Sequence, residues 1–283
     1  MTKEVVIVTG ASKGIGFETV LAALNNDMIV VGTSRTPEKL AAKVQEKLPA
    51  KVDNFTAMKM DFNEESIKQV VSEVIAKFGR IDVLVNNAGY AILGAFEDMD
   101  MAEVRTNFDV NVFGLMSMTQ AVLPQMRKQK SGRIINLSSI SGSVTGPSQS
   151  IYSASKAAVT LMSEALAQEV APYNIKVTAL CPWGVRTDFL DESSLKKPAT
   201  QGGDYKVVDQ TLAGLARLNH NQNGDPALVA QAIMKVVDMP NPPARLYLGA
   251  GALMAVQSKI EEIVQVANEN LELSQSIDSP ANK

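Results

Sequence analysis

The sequence predicts an α/β protein: a single doubly wound parallel sheet of seven strands with flanking helices. Three observations carry this. Apolar runs rich in Val and Ile recur at 5–9, 28–33, 55–60, 81–86, 133–138, 175–181 and 245–248. Amphipathic stretches fill the intervals, and no Pro/Gly/Ser-rich linker divides the first 180 residues. The near-continuous apolar character of the runs is what strands buried on both faces require, and strand alternating with helix makes such a sheet parallel. Between the third and fourth runs, Ile67, Val70, Val71, Val74 and Ile75 repeat at i, i+3, i+4, i+7 and i+8, one apolar face of a helix.

The 283 residues are 46% hydrophobic and 20% charged, the composition of a globular protein. Length alone would allow two domains at roughly 150 residues each. The missing linker instead argues for one, residues 1–271, with an inserted loop or lid at about 188–223, where polar residues, Pro198 and Gly202-Gly203 break the strand pattern. The polar tail 272–283 is expected to be disordered. A net charge of −3 offers no basic stripe to a nucleic acid. No apolar stretch approaches the roughly 18 residues of a membrane span, and the first residues do not resemble a signal peptide, so the cytoplasm is the expected compartment. The lone Cys181 excludes an internal disulfide and a multi-cysteine metal site. No metal is expected; His220 reads as a solvated loop residue and Cys181 as a small core residue.

The first apolar run ends in Thr9-Gly10-Ala11-Ser12-Lys13-Gly14-Ile15-Gly16 and is followed by Phe17, Val20, Leu21 and Leu24 at helical spacing. Glycines at a strand-to-helix turn permit close backbone approach, and the helix offers free N–H groups and a positive dipole end to a pyrophosphate. A tight turn without a ligand is the alternative. The second run ends Gly32-Thr33-Ser34-Arg35, without the acid that would hold an adenosine ribose diol. Ser34 and Arg35, with Lys13 from the turn, suit a 2′-phosphate, so the expected cofactor is NADP(H). The alternative is that both cations are ordinary solvated charges.

Tyr152 and Lys156 open a helical stretch four residues apart, on one face. With them, four motifs resemble the short-chain dehydrogenase/reductase family, a single-domain Rossmann-fold group that uses nicotinamide cofactors. These are the glycine motif Thr9 to Gly16, Asn86-Asn87-Ala88-Gly89, the helical Asn111 in Asn111-Val112-Phe113-Gly114, and Ser139, thirteen residues before Tyr152. That spacing selects Ser139 over Ser138.

The resemblance implies catalytic roles for Ser139, Tyr152, Lys156 and Asn111. Tyr152 would donate the proton in reduction and accept it in oxidation; Lys156 would lower its pKa and hold the nicotinamide ribose; Ser139 would hold the substrate oxygen; Asn111 would position a relaying water. Gly10, Ser12, Lys13, Gly14, Ile15, Gly16, Ser34, Arg35, Asn87, Ala88, Gly89, Tyr152, Lys156, Pro182, Val185 and Thr187 would contact the cofactor. Asp61 would touch the adenine ring or cap a helix. The family's Pro-Gly motif is altered to Pro182-Trp183-Gly184-Val185-Arg186-Thr187. Trp183 is expected to cover the nicotinamide pocket, as a substrate contact beside Ser139 and Tyr152, or to pack as core. Tyr90, Ile92, Ile140, Trp183, Phe189 and Leu190 are pocket or core candidates whose apolar character favours a hydrophobic carbonyl.

The implied function is hydride transfer between NADP(H) and a small-molecule carbonyl or secondary alcohol. A dinucleotide sensor without turnover, and an epimerase or dehydratase on the same scaffold, are the alternatives. The resemblance also implies a homodimer or homotetramer, assembled through helices that begin near Asn107 and Tyr152.

Overall fold

The structure, a computed structural model, describes residues 3–198 and 204–278. Seven strands form one sheet: β1 (Val5–Val8), β2 (Ile29–Ser34), β3 (Phe55–Lys59), β4 (Val83–Asn86), β6 (Gly132–Leu137), β7 (Ile175–Pro182) and β9 (Arg245–Leu248). Their order is β3-β2-β1-β4-β6-β7-β9, with every neighbouring pair parallel. Two short strands that the sequence did not announce, β5 (Ala91–Ile92) and β8 (Leu195–Lys196), pair in parallel outside it. The fold is the expected Rossmann-type sheet.

Each strand serves two cores, which is why its apolar run is unbroken. Val6 and Val8 of β1 pack with Val20 and Leu24 of α1 (Gly14–Asn25), Leu40 of α2 (Pro37–Lys47) and Ile233 of α8 (Pro226–Asp238). Val5 and Ile7 face the other way, toward Val70 and Val74 of α3 (Glu64–Phe78), Met118 and Val122 of α5 (Leu115–Gln129) and Leu166 of α6 (Ser150–Val170). Full burial of each such side chain contributes about 1.5–3 kcal/mol. α3 also has its local signals in place. The Asn63 side chain accepts from Ser66 N at 2.8 Å, Glu64 and Glu65 occupy the first turn, and Gly79 ends the helix at φ +73°.

Strand ends depart from expectation by a residue or two. β4 begins at Val83 rather than 81 because the backbone of Ile81 is taken by a side chain: Gln129 Oε1 accepts from its N at 3.0 Å and Nε2 donates to its O at 2.9 Å. The 188–223 segment is more regular than an inserted loop. It holds β8 and α7 (Lys206–Leu218), whose Val208, Leu212 and Leu215 pack on Ala91, Leu93 and Ala95; residues 199–203 lie outside the described set. The segment expected to be a disordered tail contains the exposed helix α10 (Leu271–Gln275), and 279–283 lie outside the described residues. Before it, α9 (Ala250–Glu269) buries only Ala252. Among the described residues no helix is long and apolar enough to cross a membrane.

The chain crosses to β2 and β3 on one side of β1 and to β4, β6, β7 and β9 on the other. That reversal opens a crevice beyond the carboxyl ends of β1 and β4, where ligands of such sheets bind.

Candidate active site

The glycine turn fills the crevice from the β1 side. Gly10 sits at φ +64°, and a Cβ there would lie 2.8 Å from Ala88 Cα; a Cβ on Gly16 would lie 2.5 Å from Gly10 O and press on the Asn87 amide. Both positions exclude a side chain. α1 starts at Gly14, with Lys13 at its cap, no side-chain cap bond and no acid in its first turn. Its N–H groups and positive dipole end stay uncompensated, so the residues present fit a pyrophosphate.

The loop after β4 is stapled to this turn. Thr9 Oγ1 accepts from Asn87 N at 3.0 Å and Ala88 N at 3.1 Å, and Asn87 Nδ2 donates back to Thr9 O at 3.0 Å and Gly10 O at 3.1 Å. A Cβ on Gly89 would lie 2.9 Å from Asn111 Oδ1 and 3.6 Å from Lys156 Nζ, so Gly89 gives the loop its approach to both. α4 (Met101–Phe108) runs into α5 through a π-helical stretch, Asp109–Gly114, that carries the buried Asn111. The Asn111 amide clamps Tyr90: Oδ1 accepts from Tyr90 N at 3.0 Å, and Nδ2 donates to Tyr90 O at 2.9 Å and lies 3.2 Å from Asn107 Oδ1. Both amide hydrogens thus have protein acceptors, and the side chain holds the loop at Tyr90. Asn107, which the sequence reading did not select for the site, shares the task through Nδ2 to Tyr90 O at 2.9 Å.

Tyr152 and Lys156 project from the first turns of α6 toward the end of β6. Ser138 turns away, its hydroxyl donating to Lys156 O at 2.9 Å and meeting Thr160 Oγ1 at 2.6 Å. The Ser139 hydroxyl lies close enough to the Tyr152 phenol to pull its pKa down, and it accepts from Ser141 N at 3.1 Å. The Tyr152 ring lies 5.7 Å from that of Phe189, and Lys156 Nζ lies 5.9 Å from the Tyr152 ring centroid and donates to Leu137 O at 2.7 Å. Burial pushes the Tyr152 phenol up to about 12, against the pull of Ser139, and brings Lys156 down from 10.5 to about 8. At Tyr152 burial outweighs the pull of Ser139. Desolvation disfavours phenolate and ammonium alike, and the amine is directed at a backbone carbonyl.

The loop after β7 overhangs the glycine turn. Thr187 Cγ2 lies 3.3 Å from where a Gly14 Cβ would stand, and its hydroxyl accepts from Phe189 N at 3.2 Å. Pro182 ends β7, and Val185 packs on the first core. Trp183 is not buried core: it is 44% exposed, and its indole lies where a Cβ on Gly251 would be, 2.8 Å from Cε2. The glycines at 249 and 251 make room for it at the start of α9, which corrects the reading of this residue as core. Asp61 does not cap α3, since Asn63 does; it is exposed, 3.6 Å from Lys59 Nζ.

Lys13 Nζ reaches across to the Ser193 hydroxyl, while Arg35 is exposed and has no polar partner among the described residues. Ser34 Oγ accepts from Thr36 N at 3.1 Å, and Lys43, not singled out in the sequence, donates to Ser12 O at 3.1 Å. Ile15 is a partner of the first core.

Tyr152, Phe189 and Leu195 join Ala91, Leu93, Val208 and Leu212 in one apolar cluster. Beside it a cavity of about 110 Å³ opens among Leu93, Leu190, Leu195, Leu212 and Leu215, with Lys197 and Asn219 also on its wall. Tyr90 and Ile92 pack instead with Met99, Val104 and Ile151, and Ile140 is buried. Asp188, Asp191 and His220 place ligand atoms within 4.8 Å of one another, but Asp191 already accepts from Asn219 at 2.7 Å and lies 3.0 Å from His220 Nε2.

Comparison with known proteins agrees with this geometry. The family profile described as short chain dehydrogenase matches residues 4–198. A 3-ketodihydrosphingosine reductase of Bacteroides thetaiotaomicron is 40% identical over 251 residues, covering 88% of this chain and 89% of that protein. The crystal structure of a short-chain dehydrogenase from Streptomyces avermitilis superposes with a TM-score of 0.88 at 35% identity, over 99% of this chain and 100% of that one. The structure of ElxO with NADP bound superposes with a TM-score of 0.75 at 27% identity, over 90% of this chain and 100% of that one. With the glycine turn, the stapled Asn87 loop and the Tyr152–Lys156 helix meeting at the sheet's crevice, the chain belongs to the short-chain dehydrogenase/reductase family.

Proposed function

We propose that this oxidoreductase reduces a hydrophobic ketone or aldehyde with NADPH, or oxidises the corresponding alcohol in reverse. The observation that carries the reading is the placement of Ser139 beside the Tyr152 phenol, with Lys156 one helical turn along. The bound nicotinamide would supply or accept the hydride. Ser139 donates a hydrogen bond to the substrate oxygen, aimed at the charge that develops there. Tyr152, its phenol pushed up to about 12, keeps its proton through the neutral range and delivers it to that oxygen. Lys156, at about 8, is mostly cationic at pH 7 and favours the phenolate left behind. Asn111 and Asn107 hold the Tyr90 backbone, and Thr187 bridges the glycine turn and Phe189.

NADP(H) over NAD(H) is supported by the unpartnered Arg35, by Ser34 and by the absence of an acid at the end of β2. The NADP-bound ElxO structure is consistent with it. The apolar cluster around Tyr152 and Phe189 supports a hydrophobic carbonyl, and one relative is named as a reductase of a keto compound. Exposed Phe113, in the π-helical stretch leading into α5, and Leu161 of α6, at 55% and 63%, support assembly as a dimer or tetramer through these helices, which light scattering on the purified chain would test.

The test is consumption of NADPH and NADH by wild type and Tyr152→Phe over a panel of ketones, aldehydes and quinones. The expected result is NADPH turnover that falls about 100-fold or more in the variant. Near-normal turnover by Tyr152→Phe would remove the assigned proton donor.

A further inference from the structure

We infer that Ser138 is a positioning residue for Lys156: its hydroxyl ties the lysine's backbone to the end of β6, so that the ammonium reaches one fixed place beside Tyr152. The inference rests on the reading of Tyr152 as proton donor given above. The thirteen-residue spacing selects Ser139 as the active serine and leaves Ser138 without a role. The structure supplies one.

Two consecutive residues hold the two ends of Lys156. Ser138 Oγ donates to Lys156 O at 2.9 Å, and Lys156 Nζ donates to Leu137 O at 2.7 Å. Ser138 is itself fixed to the sheet, since its N donates to Leu180 O of β7 at 2.9 Å. The four-carbon stem of the lysine, flexible in water, is thus stretched between two points at one strand end. Thr160 cannot do the same. Its hydroxyl donates to Lys156 O at 2.8 Å from one turn further along α6, a bond internal to the helix that does nothing to hold the helix against the sheet. The two hydroxyls meet at 2.6 Å, and Ser138, Lys156 and Thr160 are all buried. A Cβ on Gly142 would lie 2.7 Å from Lys156 O, so the carbonyl is closed in from that side as well.

The precision matters because the ammonium is desolvated. Leu137 O is its one hydrogen-bond acceptor among the described residues. The titratable groups around the contact are Tyr152 on the same helix, Cys181 on β7, whose thiol burial keeps protonated, and Arg245 on β9, paired with Glu164. None of them takes a hydrogen bond from the ammonium. The charged form therefore depends on the bond to Leu137, and a backbone released from Ser138 lengthens that bond and lets the proton go more readily.

The test follows Lys156 directly, by carbon-13 NMR of protein labelled at lysine Cε, with the resonance assigned by its loss in Lys156→Met. The kcat/KM for carbonyl reduction by NADPH is measured over the same pH range. Wild type should titrate near 8. Ser138→Ala should bring the midpoint down by about one pH unit, a change of about tenfold in proton affinity, and the alkaline fall of kcat/KM should move down with it. Thr160→Val removes an equally buried hydroxyl bond to the same carbonyl and should leave the midpoint within about 0.3 pH unit. Ser138→Cys, close in size but a weak donor, should fall between wild type and Ser138→Ala, and it reads the same contact where the alanine variant does not fold. A midpoint unmoved in both Ser138 variants, or moved as far in Thr160→Val, overturns the inference, because Ser138 then contributes packing alone. So does a midpoint that moves while the kcat/KM profile stays in place. A wild type that reduces no carbonyl, with the midpoint still lowered in Ser138→Ala, removes the proton-donor reading and leaves the grip on Lys156 standing.

Discussion

Lys156 is a cation held in a place that disfavours its charge, and the size of the penalty can be measured. The side chain is 5% exposed, and burial lowers its pKa from 10.5 to about 8. At 1.36 kcal/mol per pH unit, keeping the native ammonium charged costs about 3 kcal/mol. The sign follows from proton counting. Below pH 8 both the folded and the unfolded chain hold the proton, and the cost is full and constant. Between 8 and 10.5 the unfolded chain still holds a proton that the folded one has released, so stability rises with pH. The perturbation is Lys156→Met, which removes this titration.

The assay is urea unfolding of both proteins from pH 6.5 to 9.5 at fixed protein concentration and ionic strength. The unfolding free energy of wild type minus that of the variant should be flat to about pH 8 and then climb toward 1.4 kcal/mol per unit. Loss of the bond to Leu137 O shifts that difference by a constant on the order of 1–2 kcal/mol and leaves its slope alone. Tyr152 is present in both proteins, and its own titration cancels. A difference that stays flat to pH 9.5 refutes the reasoning, because Lys156 would then keep its proton in the fold as readily as in water.

Three further outcomes follow from the same geometry. With Tyr152 at about 12 and Lys156 at about 8, the proton donor survives alkali and the cation does not, so kcat/KM for carbonyl reduction should fall above pH 8; a profile level to pH 10 contradicts this. Thr9→Val removes the acceptor of two backbone N–H groups and should lower stability by about 2–4 kcal/mol, read from urea midpoints; an unchanged midpoint means that the Asn87 loop is held by other contacts. Gly16→Ala drives a Cβ into the Asn87 amide and Gly10 O, and titration calorimetry should show NADPH binding weakened at least about tenfold; binding at wild-type strength would show that the glycine turn relaxes without loss.

The parts of this molecule that were legible in the sequence are those that the backbone dictates. β1 could be read because Val5, Val6, Ile7 and Val8 alternate between two cores, and the glycine turn because positive φ and the closeness of Ala88 leave room for nothing larger at Gly10. The Tyr152–Lys156 spacing could be read because a helix fixes which residues share a face. The parts that stayed hidden depend on long side chains or on partners remote in the chain. Lys13 is directed by Ser193, 180 residues away, and Lys43 by a carbonyl on another element, and nothing local to either lysine encodes the choice. α7 was obscured because Val208, Leu212 and Leu215 form a short stripe whose partners, Ala91, Leu93 and Ala95, lie more than a hundred residues earlier.

Trp183 marks the boundary between the two kinds of information. A bulky residue at a position where the family keeps glycine looks like an obstruction in the site when read locally. It becomes a packing residue once Gly249, at φ +103°, and Gly251 are seen to clear a seat for the indole. Both halves of that arrangement are in the sequence, as one large residue after β7 and two absent side chains after β9. Only the parallel pairing of β7 with β9, which sets Pro182 opposite Leu248, brings them together. The altered loop is therefore accommodated on the side of α9, and Ser139, Tyr152 and Lys156 keep the arrangement from which the proposed chemistry follows.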